Sequence, residues 1–291
     1  MSSVIGFIGL GLLGQAMALR LVKQGFTLVV WNREPERSIA LADVGARVAS
    51  SPQEVAELCS VICVCVINGR AVHDVMFGSQ GITLASQMDR IVIDFSTVPP
   101  DETREIATAA VKHAIRWMDA PLSGGPAAAL KGELTAMVGG CAEDMSATSQ
   151  IFSAVANRVT HVGTVGKGQE MKVVNQALVG ATFVMLAEVL ALTRGLGLDP
   201  AIVPQCLEGG FGDSVALQRV WSIMAGDRFD PPTGRAAQLL KDLHHVDELR
   251  GKCGLTLPVV ESAIGQYASY VQDQGGASRD TLSISRMYQQ Q

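Results

Sequence analysis

Four groups of residues in this 291-residue chain have types and spacings from which chemistry could be built. The first is Gly9-Leu10-Gly11-Leu12-Leu13-Gly14, a G-x-G-x-x-G run directly after the apolar stretch Val4–Ile8. In such a run the first glycine makes a tight strand-to-helix turn, the second lets a pyrophosphate approach the backbone, and the third lets helix and strand pack closely. A helix opening there presents unpaired N–H groups and its positive dipole end to phosphate. Glycine-rich turns also arise for structural reasons alone, so context decides. Here a strand precedes the run, a helical pattern follows it, and a second strand comes on cue at Thr27–Trp31. The reading is a dinucleotide site.

The second group sits where that second strand ends, at Trp31-Asn32-Arg33. A site for NAD places Asp or Glu there to accept the ribose 2′-hydroxyl. This chain has Asn32, then Arg33 and, one turn along, Arg37. A carboxylate would repel a 2′-phosphate, whereas an amide and two guanidiniums would hold it through charge-assisted bonds. NADP(H) is therefore expected over NAD(H); the plainer alternative makes Arg33 and Arg37 ordinary solvated charges.

The third group is Ser123-Gly124-Gly125, within Asp119-Ala120-Pro121-Leu122-Ser123-Gly124-Gly125-Pro126. A hydroxyl beside bare backbone N–H groups could cradle a carboxylate, although a plain turn would use the same residues. The fourth is Lys172, with Asn175 and Gln176 three and four residues on and so on the same helical face. A lysine among apolar neighbours at a domain seam is expected to have a depressed pKa and to exchange a proton near neutrality. Its plain alternative is a snorkelling side chain at a helix end.

The elements that must position these groups follow from periodicity. Strands are expected at Val4–Ile8, Thr27–Trp31, Val61–Val66, Ile91–Asp94 and Arg116–Asp119, with a weaker one at Thr135–Val138. Helical patterns fall between them at 14–24, 35–43, 52–57, 72–75 and 100–112. That alternation indicates βαβ units and a parallel sheet covered on both faces. After about Val165 the pattern changes to helices alone: Lys167–Arg194, then Pro200–Glu208, Ser214–Met224, Gly234–Cys253, Pro258–Gln274 and a short one near Thr281–Tyr288. The expected fold class is α/β: a Rossmann-type domain over 1–165, then an all-α domain over 166–291, joined by a long interdomain helix. The closing Gln289-Gln290-Gln291 is expected to fray.

Composition narrows the function classes. Net charge is −5 with no basic block, which argues against nucleic acid as a partner. The opening MSSVIGFIGLGLLG has no basic segment before its apolar stretch and is broken by glycines, so no export signal is expected. The apolar run Ala177–Thr193 is interrupted by Glu188 and reads as a buried helix, not a membrane span. Six cysteines are too few for a disulfide scaffold at this length. Cys63 and Cys65 lie in the strand-like VICVCVI near Cys59, and no His-x-His or second cysteine pair completes a metal site. Packed, reduced thiols, a cytoplasmic location and no metal are expected.

Taken together, GFIGLGLLGQAMALRL, DAPLSGGPAAALKGELTAMVGG, GKGQEMKVVNQ and LLKDL resemble the β-hydroxyacid dehydrogenase family, which includes 3-hydroxyisobutyrate dehydrogenase and tartronate semialdehyde reductase. The resemblance covers nearly the whole chain. It implies a Rossmann-type domain followed by a helical one, assembled as homodimers or homotetramers. It implies that the loop Gly9–Gly14 holds the pyrophosphate, that Val66, Ile67 and Asn68 form a further cofactor loop, and that Ser96 and Thr97 lie along the nicotinamide. By the same resemblance Ser123, Gly124 and Gly125 cradle the substrate carboxylate, Lys172 is the catalytic lysine, and Asn175 or Gln176 is the amide that orients it. Lys241, in Lys241-Asp242-Leu243, corresponds to a lysine near cofactor and substrate.

Three positions depart from the family pattern. Asn175-Gln176 replaces the Asn-Asn of many members and looks more like the tartronate semialdehyde reductase branch; Ile67 stands where a proline is common. Gly234 or Arg235 stands where an aromatic often lines the pocket, and Arg235 is expected to help bind a hydroxylated or doubly anionic substrate. The implied activity is hydride transfer between NADP(H) and a small 3-hydroxy acid or its semialdehyde, with Lys172 as general acid and base. An imine reductase of the same superfamily and a non-catalytic dinucleotide sensor are the rival readings.

Overall fold

The computed structural model describes residues 4–86, 89–230 and 232–289 and divides into two compact units, Met1–Lys172 and Val173–Gln291. Gln290 and Gln291, where fraying was expected, lie outside the described residues.

In the first unit, strands β1 (Val4–Ile8), β2 (Thr27–Trp31), β3 (Arg47–Val48), β4 (Val61–Val64), β5 (Arg90–Asp94) and β6 (Ile115–Asp119) are followed by β7 (Leu122–Ser123), β8 (Leu134–Gly139) and β9 (Ala156–Gly163). They form one sheet in the order β3-β2-β1-β4-β5-β6-β8-β7, with β9 also paired to β8. The pairs from β3 to β6 are parallel. Against the all-parallel expectation, β8 runs antiparallel to β6 and β7 (Asp119 opposite Gly139, Leu122 opposite Ala136), and β9 then pairs parallel to β8. The chain from β6 to β7 therefore lies along one edge of β8, and it carries the Ser-Gly-Gly loop with it.

The apolar runs alternate between two cores because both sheet faces are covered. Phe7, Val30, Cys63, Ile93 and Met118 face one core, and Ile8, Val29, Ile62, Val92 and Trp117 face the other. Helices α1 (Leu12–Lys23), α2 (Ile39–Ala42), α3 (Pro52–Leu58), α4 (Gly69–Phe77), α5 (Pro100–Val111), α6 (Gly125–Lys131), α7 (Ala142–Ala147) and α8 (Ser149–Val155) supply the cover. In α1, for example, Gly14, Met17, Ala18 and Leu21 recur at helical spacing and are buried. Ser51 caps α3 by accepting the Glu54 N–H at 3.0 Å, with Pro52 at the first helical position.

Helix α9 (Lys167–Gly195) runs from the first unit into the second. By length and composition it could cross a membrane, longer than the run read from sequence. Its apolar character has a packing reason: Val184, Leu186, Ala187 and Leu190 are buried in the core of the second unit. That unit adds α10 (Val203–Leu207), α11 (Val215–Ala225), α12 (Ala236–Lys252) and α13 (Pro258–Gln272), with cores around Leu243, Tyr267 and Tyr270 and around Trp221.

Candidate active site

The glycine loop shows which of its residues the fold needs. Gly9 has φ +95°, and a Cβ there would stand 2.3 Å from the Cys65 carbonyl oxygen. At Gly14 a Cβ would stand 2.1 Å from the Gly9 carbonyl oxygen. Packing of the chain against itself therefore demands both. Gly11 differs: among the described residues, its chain neighbours aside, no atom lies within 4 Å of its Cβ position, and its φ of −66° suits any residue. It caps α1 without a side-chain bond to the free N–H groups of the first turn. Open space in front of uncapped helix amides is a cradle that a Cβ would fill, and it fits the pyrophosphate of a dinucleotide.

Asn32, expected at the ribose phosphate, braces this loop. Its Oδ1 accepts the Leu10 N–H at 2.8 Å and its Nδ2 donates to the Glu34 carbonyl at 3.0 Å. The side chain of Arg33 is 80% exposed, with Nη2 3.8 Å from Glu34 Oε1, and Arg37 Nε donates to Glu34 Oε2 at 2.5 Å. Glu34, not singled out from sequence, thus supplies a carboxylate between the two arginines.

The second strand-end loop is built on Ser96. Its hydroxyl accepts the Val66 N–H at 2.9 Å, its own N–H donates to Asp94 Oδ1 at 2.9 Å, and its carbonyl accepts from Gln169 Nε2 at 2.8 Å. Ser96 is buried and works as scaffold, whereas Thr97 beside it is half-exposed. Ile67 is exposed, and the Asn68 side chain caps α4 through the Ala71 N–H at 2.9 Å. Cys65, next to this loop and to the Asp94 charge, is pushed up to about 12, chiefly by burial. Cys59 is likewise raised to about 12 by burial. Cys141, Cys206 and Cys253 are exposed, so only part of the cysteine set is packed. Among the described residues no cluster of His, Cys, Asp and Glu could hold a metal ion.

Lys172 is 6% exposed, and its Nζ donates to the Leu122 carbonyl at 2.8 Å. Leu122 precedes Ser123, so the amine meets the strand that opens into Gly124 (φ +130°) and Gly125 (φ +73°). The structure therefore brings Lys172 to the Ser-Gly-Gly loop, fifty residues away in sequence. Asp119, for which no role was expected from sequence, holds the first turn of α9. Fully buried, it accepts the Gly166 N–H at 2.7 Å and the Gln169 N–H at 2.8 Å. Burial pushes the Asp119 carboxyl above its ordinary range, and these two N–H donors oppose the shift. A charged residue ending an apolar strand was the available signal for Asp119.

In the second unit, Asn175 Nδ2 donates to Gln176 Oε1 at 2.7 Å, and Gln176 Nε2 donates to Asp242 Oδ2 at 2.7 Å. Lys241 Nζ lies 3.2 Å from Asp242 Oδ1 as an ion pair whose angles fall outside hydrogen-bond geometry. Asn175, Gln176 and Lys241 are thus joined through Asp242, whose place in Lys241-Asp242-Leu243 gives no local sign of this role. Arg235 is exposed and precedes α12, which starts at Ala236 and not at Gly234. Asp280 fixes that start: Oδ2 accepts the Thr233 N–H at 2.5 Å, and the Arg235 backbone pairs with Asp280.

A doubly wound sheet with a glycine-loop cradle at its strand ends, and a buried lysine beside a second glycine loop, define a nicotinamide dinucleotide-dependent oxidoreductase. Comparison with known proteins agrees. Residues 4–163 match the NAD-binding domain of 6-phosphogluconate dehydrogenase, and residues 166–288 match the NAD-binding domain of NADP-dependent 3-hydroxyisobutyrate dehydrogenase. L-threonate dehydrogenase of Cupriavidus necator is 31% identical over 99% of this chain and 97% of its own. Mitochondrial 3-hydroxyisobutyrate dehydrogenase of Mus musculus is 32% identical over 90% of this chain and 74% of its own. The structure of Mycobacterium tuberculosis 3-hydroxyisobutyrate dehydrogenase with L-serine superposes with a TM-score of 0.87 at 25% identity, covering 99% of this chain and 100% of that one. The chain belongs to the β-hydroxyacid dehydrogenase family.

Proposed function

We propose that the protein moves a hydride between NADP(H) and a small 3-hydroxy acid or its semialdehyde, with Lys172 delivering and removing the proton. The observation that carries this reading is the buried Lys172 amine held 2.8 Å from the carbonyl that precedes Ser123. Bound NADP(H) would supply or accept the hydride at its nicotinamide ring. Gly11 and the first-turn amides of α1 would hold its pyrophosphate, and Arg33 and Arg37 its 2′-phosphate, displacing their contacts with Glu34. Ser123 and the peptide groups of Gly124 and Gly125 would take the substrate carboxylate. In reduction, Lys172 Nζ gives a proton to the carbonyl oxygen as the carbon receives hydride; in oxidation it takes the hydroxyl proton back. General acid–base help of this kind is worth about 10²–10⁴ in rate.

Of the two amides after Lys172, Asn175 is the one we assign to the substrate. Gln176 is buried, with its amide tied to Asp242 and Asn175, whereas Asn175 is half-exposed and donates to Gln176. Gln176 thereby holds Asn175, and Lys241 completes the polar set. Arg235, at the exposed start of α12, would add a cation for a hydroxylated or doubly anionic acid. The substrate class is supported by the relatives named for 3-hydroxyisobutyrate and L-threonate and by the structure holding L-serine, all small hydroxylated carboxylates.

Val174, Leu178, Met185, Val189 and Leu192 form an exposed apolar stripe along α9, and we assign it to contact with a second copy in a homodimer or homotetramer in the cytoplasm. A screen of nicotinamide absorbance with small hydroxy acids and semialdehydes, run in both directions with both cofactors, tests the reading. Turnover of at least one such acid with NADPH or NADP⁺ is expected; inertness across the set, or activity on imines alone, would overturn it.

A further inference from the structure

Lys172 is presented by a helix whose first turn is fixed from beneath. Asp119 uses both carboxylate oxygens there, Oδ1 on the Gly166 N–H at 2.7 Å and Oδ2 on the Gln169 N–H at 2.8 Å. A helix leaves such donors unbonded at its start, and a single-oxygen cap satisfies one of them. Two acceptors on one rigid group fix the rotation of the turn as well as its height. Gln169, 1% exposed, reaches the other way: Nε2 donates to the Ser96 carbonyl at 2.8 Å and Oε1 accepts the Val98 N–H at 3.2 Å.

Glycines make this fit close. A Cβ at Gly168 would stand 2.4 Å from the Met137 carbonyl oxygen, and one at Gly139 would stand 2.6 Å from Asp119 Oδ1. The first turn of α9 is thus clamped between the ends of β6 and β8 and the segment after β5. Arg104 adds an ion pair to Glu170 on its half-exposed side. At about 1.5 Å of rise per residue, Lys172 lies only some 4.5 Å along the helix from Gln169. Any tilt or rotation of the clamped turn is carried directly to its amine.

We propose that Asp119 and Gln169 are positioning residues of the reaction, locking the first turn of α9 so that Lys172 keeps a fixed distance from the Ser96-Thr97 segment. This rests on the reading of Lys172 as the proton-transferring group. In it the buried carboxylate does not exchange a proton with substrate; it holds the helix that does.

The test uses the full-length protein and the variants Asp119→Asn and Gln169→Met, with Lys172→Ala and Ser51→Ala as references. In Asp119→Asn an NH₂ faces an N–H donor, and Gln169→Met keeps volume while losing both side-chain bonds. Ser51→Ala removes a remote helix cap and serves as a destabilised control. For each, kcat, KM, the thermal midpoint and the NADPH dissociation constant from nicotinamide fluorescence are measured. Misplacement by about 1 Å can cost about 10²-fold in rate, so a fall of about 10- to 100-fold in kcat is expected for both positioning variants. Their KM and NADPH dissociation constants should stay within about threefold of the parent, since interactions lost only in the transition state lower kcat. Ser51→Ala should lose stability with kcat intact. Full kcat in Gln169→Met would overturn the proposal even if Asp119→Asn fails to fold. Losses that simply track the thermal midpoint, as in Ser51→Ala, would overturn it as well. If Lys172→Ala itself kept turnover, the Lys172 reading would fail first and take this one with it; loss in Lys172→Ala beside full activity in Gln169→Met would sink the positioning role alone.

Discussion

Replacing Gly9 and Gly11 separately by alanine should split a glycine the fold requires from one a ligand requires. In Gly9→Ala the methyl would meet the Cys65 carbonyl oxygen at 2.3 Å, at a φ of +95° that L residues avoid. The left-handed backbone costs about 1–2 kcal/mol and overpacking about 1–3 kcal/mol, so a loss of about 2–5 kcal/mol is expected. At about 2–4 °C per kcal/mol for a unit of this size, the thermal midpoint should fall by roughly 4–20 °C. In Gly11→Ala no described atom beyond its chain neighbours stands within 4 Å of the new methyl, so at most the loss of a good N-cap, about 1 kcal/mol, is expected. The same methyl would occupy the space in which a pyrophosphate meets the α1 amides. A tenfold or greater loss of NADPH affinity, about 1.4 kcal/mol, should follow. Thermal scans beside fluorescence titration with NADPH read both quantities. If Gly11→Ala binds the dinucleotide like the parent, or unfolds as early as Gly9→Ala, the loop is a structural turn and the cradle argument fails.

Cofactor choice should respond to Arg33→Ala with an affinity loss of about tenfold for NADPH and little change for NADH, as expected when one charge-assisted contact to a phosphate goes; equal loss for both would contradict the 2′-phosphate role. Bonds from the Ser50 hydroxyl and N–H and from Arg47 hold the Glu54 carboxyl down, from 4.5 to about 2. Its charged form is therefore favoured by folding, and this contribution is present above 4.5 and lost as pH falls towards 2. Glu54→Gln should lower the thermal midpoint at neutral pH, with the gap to the parent closing over that acidic window; a gap of constant size would contradict the assignment. Leu178→Glu combined with Leu192→Glu places charges on the exposed stripe of α9. It should shift the protein to monomers in sedimentation, and a parent-like assembly would remove the stripe as the contact surface.

The sheet was legible because parallel strands buried on both faces leave near-continuous apolar runs, as in Val4–Ile8 and Val61–Val64. Strand β9 was not, because it lies on the outside of β8 and its Asn157, Arg158, Thr160 and His161 face mostly solvent, which erases the apolar signal. Helix α6 hid behind Ser-Gly-Gly-Pro, where turn chemistry and a helix start with Pro at its first positions look alike in sequence. Lys172 and the glycine loop stood out as candidates by residue type and spacing. The roles of Asp119, Gln169 and Asp242 were not legible, since each works by bonding to groups 47 to 73 residues away, which no local pattern encodes. Asn32 was legible at the strand end, but its bond to the Leu10 N–H was not, since it reaches back 22 residues to the glycine loop.

Single-turnover hydride transfer in Lys172→Ala, measured beside NADPH titration of the same sample, is the most direct measurement of the proposed chemistry. Unchanged dinucleotide binding with a rate lower by about 10²–10⁴ is the expected result. A transfer rate equal to the parent's, with the dinucleotide bound, would contradict it.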